Sequence, residues 1–175
     1  MFILKFIAKG LKLLNSDETP LQIALGIALG SIIAFTPLLS LHNFFILLLI
    51  FILKVSFRGA ITAMVLLKPA GLLLAPLANE LGFLLLLDIE SLHPLWVYLH
   101  TLPFFAFFLF NNTLVFGSFI LALLLFLPVL FLFKTIINKY RTSWKEKFLQ
   151  TKLYKILSKS KIVLWITKIY KLIPA

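Results

Sequence analysis

Between Pro20 and Phe133 the sequence carries only six formally charged residues: Lys54, Arg58, Lys68, Glu80, Asp88 and Glu90. A domain in water must cover its apolar interior with polar surface, and this segment has too little polarity to do so. Across all 175 residues, hydrophobic types make up 62% and charged types 13%. In lipid each backbone amide and carbonyl must be satisfied inside the protein, so helices are the natural solution. The expected class is an all-α integral membrane protein. It would have about four short or broken transmembrane or re-entrant helices, with amphipathic helices at both ends. The chain contains no cysteine, so disulfides and thiolate metal sites are excluded.

Charge is concentrated at the end. The net charge is +11, and the stretch from Lys134 to Ala175 holds eleven Lys or Arg against one acid, Glu146. Residues 134–175 therefore read as a basic amphipathic cytoplasmic tail that binds anionic lipids. At the other end Lys5, Lys9 and Lys12 recur at helical spacing, which predicts an amphipathic interfacial helix over 1–15. No small-residue cleavage site precedes Ser16, so this start does not read as a removable signal peptide.

Residues 16–133 form the expected membrane domain. Ser16 or Asp17 is the expected cap of a helix over 20–35, with Pro20 in its first turn. Sixteen residues rise only about 24 Å, short of a bilayer core. Thr36-Pro37 interrupts the apolar pattern, with Ser40, His42 and Asn43 nearby, and a second short helix is expected over 38–53. A broken segment follows over 57–87, interrupted at Lys68-Pro69 and Pro76. Residues 88–103, with Trp96 and Tyr98, suit an interfacial connection, and 104–133 is the expected transmembrane helix, with Pro128 as a kink. Basic flanks put both termini in the cytoplasm, which demands an even number of crossings. Four crossings, or re-entrant hairpins in place of some, both meet that demand.

Three features bear on function. Gly26 and Gly30 form a GxxxG pattern extended by Ala34, which lets helix backbones approach closely, within the chain or in a homodimer. The breaks at Pro37, Pro69 and Pro76 free backbone groups that lipid cannot satisfy, and interrupted helices in transporters keep such groups for a ligand. Arg58, Lys68 and Glu80 are charges within apolar sequence and, with Thr36, His42 and Asn43, make a candidate substrate-binding set. In this reading Lys68 and Arg58 hold a phosphate and Glu80 is a counter-ion or proton carrier. Snorkelling of both bases to headgroups is the plainer alternative. Glu90, His93 and His100 lack metal-site spacing, because Pro94 is expected to break the helix they would share. No catalytic motif, metal site or cofactor is expected, and nucleic acid is not an expected partner.

The segment 19–87 resembles the bacterial membrane proteins known as domain of unknown function 2062. The resemblance rests on Pro20 before Ile23-Ala24-Leu25-Gly26-Ile27-Ala28-Leu29-Gly30, on Thr36-Pro37, on an apolar run ending near Lys54 to Arg58, and on Lys68-Pro69 through Pro76 to Gly82. Family members typically carry Asn-Pro at the Lys68-Pro69 position and a polar or glycine-rich turn at 38–43. The resemblance implies a protein of the bacterial inner membrane whose relatives are sometimes joined to, or found beside, envelope-building proteins. It supplies no catalytic residue. The functional expectation is an inner-membrane protein that transports or hands over an anionic lipid, such as a phospholipid or polyprenyl phosphate. The alternative is a non-transporting anchor or assembly subunit for a larger envelope protein.

Overall fold

A computed structural model of the chain describes residue 10 and residues 13–102, 108, 110 and 112–144. The helix expected over 1–15 and the tail over 134–175 fall largely outside the described residues. Those described are helical or in turns, with no strand among them. The chain divides into two compact units. One is Glu18–Lys134; the other joins Met1–Asp17 to Thr135–Ala175.

Helix α1, Pro20–Phe35, is capped two residues after Asp17 and three after Ser16. Its cap is Thr19, whose Oγ1 accepts from the Gln22 amide while the Gln22 side chain accepts from the Thr19 amide at 2.8 Å. Pro20 fixes the cap at the residue before it, and Gln22 three residues on completes the reciprocal pair. Helix α2, Leu41–Ile52, begins after the expected residue 38, because Leu38 and Leu39 belong to the turn that follows Pro37.

Helix α3, Phe57–Phe83, differs most from the sequence reading. It runs unbroken through Pro69 and Pro76, where interruptions were expected. The two prolines are seven residues apart and share an exposed face with Val65 and Leu72, whose carbonyls lose their i+4 donor. A lost bond on an outward face bends a helix without disturbing its packed side. A π-helical turn over Leu84–Asp88 and a 3-10 turn over Glu90–Leu92 lead into α4, His93–His100. Pro94 sits in the first turn of α4, where its missing N–H is no loss, so it opens the helix rather than breaking it. Helix α5, Thr113–Lys139, extends past the expected end at Phe133 and contains Pro128. Its expected start over 104–112 lies mostly outside the described residues. The runs Phe57–Asp88 and Thr113–Ser143 are both long and apolar enough to cross a membrane.

Small residues let α1, α3 and α5 approach closely within Glu18–Lys134. A Cβ on Gly26 would meet the Ser56 carbonyl, one on Gly30 the Ala60 backbone, and one on Gly71 the Ala34 carbonyl. Gly82 meets the Thr113 backbone and Gly117 the Ala78 carbonyl in the same way. The small face of α1 is therefore spent on α3. Around these contacts Leu29, Ile32, Ile33, Ile46, Ile50, Ala60 and Ala122 form a buried cluster. Ser56 caps α3 through the Gly59 amide at 3.0 Å, and its own amide donates to the Gln22 carbonyl at 3.1 Å, tying the start of α3 to α1.

A side chain at Gly30 has only backbone to displace, and backbone cannot rotate aside. Gly30→Leu is expected to destabilise the fold by about 3 kcal/mol or more, at the upper end of overpacking effects. Gly10, a helical residue with open space around its Cβ position, is the control: Gly10→Ala is expected not to destabilise the fold. Thermal unfolding of the detergent-solubilised protein measures both, and equal melting temperatures for Gly30→Leu and wild type would refute the packing account.

Candidate functional site

The turn between α1 and α2 gathers three of the residues singled out in the sequence. Thr36 is buried at the carboxyl end of α1, and its hydroxyl lies 2.9 Å from both the Ile32 carbonyl and the Asn43 amide oxygen. Asn43 donates from Nδ2 to the carbonyls of Pro37, at 2.7 Å, and Leu38, at 3.3 Å. Lys68 crosses from α3 and donates from Nζ to the Thr36 carbonyl at 2.7 Å. A helix leaves its last carbonyls without donors and carries partial negative charge there, so the ammonium satisfies both needs. Lys68 is thus engaged in closing α1.

Arg58 and Glu80 stand apart from it. They precede and follow Lys68 on the same helix by ten and twelve residues, which is about 15 and 18 Å at 1.5 Å per residue. Arg58 instead pairs with Glu18 at 3.8 Å, with its side chain 57% exposed. Glu80 is exposed and forms no ion pair among the described residues. A phosphate grip by Arg58 and Lys68 with Glu80 as counter-ion does not match this spacing. His93 sits beside the Leu87 carbonyl at 3.0 Å, and Trp96 donates to the Leu85 carbonyl at 2.9 Å. No group of three potential metal ligands occurs among the described residues. The side chain of His100 is not among those described.

His42 has a different environment from its neighbour Asn43. It is 2% exposed, yet neither ring nitrogen has a hydrogen-bond partner among the described residues. Its ring packs against Phe119, with centroids 4.9 Å apart, and against Phe110 at 6.0 Å. Beside it lies an open cleft of about 350 Å³ lined by His42, Phe45, Ile46, Phe108 and Phe119. Phe45 and Phe108 stack at 5.7 Å along its wall. The cleft has a volume in the range of small-molecule sites, and the surface that the described residues expose to it is apolar, since both His42 ring nitrogens are buried. Sequence reasoning singled out His42 but missed the phenylalanines. With 19 Phe in the chain, no single one stands out as lining a site until α2 and α5 are brought together.

The contrast between Lys68 and Glu80 is measurable. Lys68→Met removes a charge-assisted hydrogen bond and is expected to lower stability by about 1.5–3 kcal/mol. Glu80→Gln breaks no hydrogen bond or ion pair among the described residues and is expected not to lower stability. The double variant should be additive, since residues this far apart share no partner. Chemical denaturation in detergent reads all three, and a coupling energy above about 1 kcal/mol would contradict the separation.

Residues 5–145 match the family described as "Uncharacterized protein conserved in bacteria (DUF2062)". No curated protein and no solved structure matches the chain. The matched region takes in α1 to α5, including the Thr36–Asn43 turn, Lys68 and the His42 cleft, and covers most of the sequence. The chain belongs to this bacterial family of uncharacterised proteins.

Proposed function

We propose that the chain is a multi-pass protein of the bacterial cytoplasmic membrane that binds lipid in the cleft beside α2 and hands it on. The observation that carries the lipid reading is the cleft itself: about 350 Å³, open to the outside, walled by phenylalanines and set in an apolar surface. Membrane residence is supported by the outward apolar side chains, with Leu73 83% and Leu39 99% exposed. Water would penalise such a surface, and lipid would not.

Both termini are proposed to be cytoplasmic. Arg141 donates to the carbonyls of Leu14, at 3.1 Å, and Ser16, at 2.9 Å, and Asn15 donates to the Tyr140 hydroxyl at 3.1 Å. Chain entering and leaving the intervening segment is thus held together, which supports an even number of crossings. The basic tail supports the cytoplasmic side and contact with anionic headgroups. Two crossings, by α3 and α5, with α1 and α2 as a re-entrant pair, fit the helix lengths: 16 and 12 residues for the short pair. An anchoring role without transport would leave the cleft unused.

Photocrosslinking in vesicles separates these roles. A phospholipid with a diazirine near its chain terminus should label Phe45, Phe108 or Phe119 several-fold above outward-facing Leu73 and Leu124, read by peptide mass spectrometry. Labelling at the cleft no stronger than at those outward positions would leave the anchor as the better reading.

A further inference from the structure

Helix α3 carries a single acid along its apolar length, Glu80. Its side chain is exposed and forms no hydrogen bond or ion pair among the described residues. The neighbours on that face are leucines: Leu73, Leu77 and Leu84, at i−7, i−3 and i+4, are 83%, 57% and 46% exposed. Residues at these spacings share one stripe of a helix, so the carboxylate sits within an apolar seam. The opposite face of α3 is already spent, with Gly71 against α1 and Ala78 and Gly82 against α5. Asp88, at the end of the apolar run, lies eight residues and about 12 Å further on, a longer reach than a glutamate side chain has. Lipid supplies neither a counter-charge nor a donor, and ionisable side chains in spanning helices almost always meet protein or water.

We propose that this face of α3 is the interface of a homodimer in the membrane, with Glu80 hydrogen-bonded to the partner's Glu80. The proposal rests on α3 spanning the bilayer and not on lipid binding in the cleft. Two copies inserted in the same direction are related by a two-fold axis along the membrane normal, so equivalent residues on facing helices meet at the same depth. A second copy therefore brings a carboxyl to Glu80 by symmetry alone, whereas an unrelated helix would need a polar group placed at that depth. A protonated carboxyl has one O–H donor and a carboxylate only accepts, so one proton held between the two serves the pair. A lone polar residue in an apolar seam also fixes register, and Leu73, Leu77 and Leu84 then pack on their counterparts. The GxxxG face of α1, where the sequence allowed a homodimer, is occupied by α3.

The chain has no cysteine, so single thiols report the contact in the full-length protein in phosphatidylcholine vesicles. Under mild oxidation Leu77→Cys is expected to form an intermolecular disulfide several-fold faster than Leu124→Cys, which is exposed on α5. Energy transfer between donor- and acceptor-labelled copies, followed as added lipid dilutes them, gives the dimer affinity. Glu80→Leu is expected to weaken it roughly tenfold, about 1.4 kcal/mol. Glu80→Gln, whose amide both donates and accepts, should stay within about twofold of wild type. The oxidation comparison keeps Glu80 and stands even where a Glu80 variant misfolds. Equal oxidation at both positions, or transfer that shows no association, would overturn the interface. Unchanged affinity in Glu80→Leu would overturn the carboxyl pair. Flotation with the vesicles reads membrane residence separately, and a protein that does not float would overturn that reading together with the dimer.

Discussion

The close approach of α1 to α3 governs much of the packing in the Glu18–Lys134 unit. Gly26 and Gly30 on one helix and Gly71 on the other replace side chains with backbone contact, which leaves α1 buried almost all round. In an apolar solvent the hydrophobic effect supplies no drive for two helices to meet. Dense packing and hydrogen bonds must hold them instead, and small residues permit both. Once α1 lies that near α3, its carboxyl end falls within reach of Lys68, and the turn after it has a fixed place from which α2 departs.

That turn shows how polar groups survive in apolar surroundings. Thr36, Asn43 and Lys68 satisfy one another's backbone neighbours through short hydrogen bonds. These bonds run within the turn and to the end of α1, and Lys68 uses one of its three N–H donors there. His42, one residue before Asn43, is left with none of these partners. The 100° turn between successive helical residues sends one side chain into the hydrogen-bonded turn and the other among phenylalanines. Hydrogen-bonded and unpartnered polarity are therefore adjacent in sequence among the described residues.

Proline had opposite consequences at its several positions. Pro37 lies between two helices, with Asn43 and Lys68 supplying the hydrogen bonds its neighbourhood needs. Pro69 and Pro76 lie on the outer face of one continuous helix. Pro94 opens a helix. The residue type is the same in each case; whether the helix continues depends on which face carries the ring and on what waits to accept the freed carbonyl.

Much of the all-helical character was legible in the sequence, because a charge-poor segment of this length leaves the backbone few other ways to satisfy itself. The GxxxG pattern and the end of α1 at Thr36 were also visible, since each depends on local residue type; His42 was one of six candidate residues, and nothing in the sequence set it apart from Asn43. Whether the small face met α3 or a second copy was not, because spacing describes a surface and not its partner. Nor was the separation of Arg58, Lys68 and Glu80 recognised, although it follows from helix rise once α3 is known to be unbroken. The cleft belongs to tertiary structure alone: Phe45, Phe108 and Phe119 are far apart along the chain, and only the packing of α2 near α5 gives them a common wall with His42.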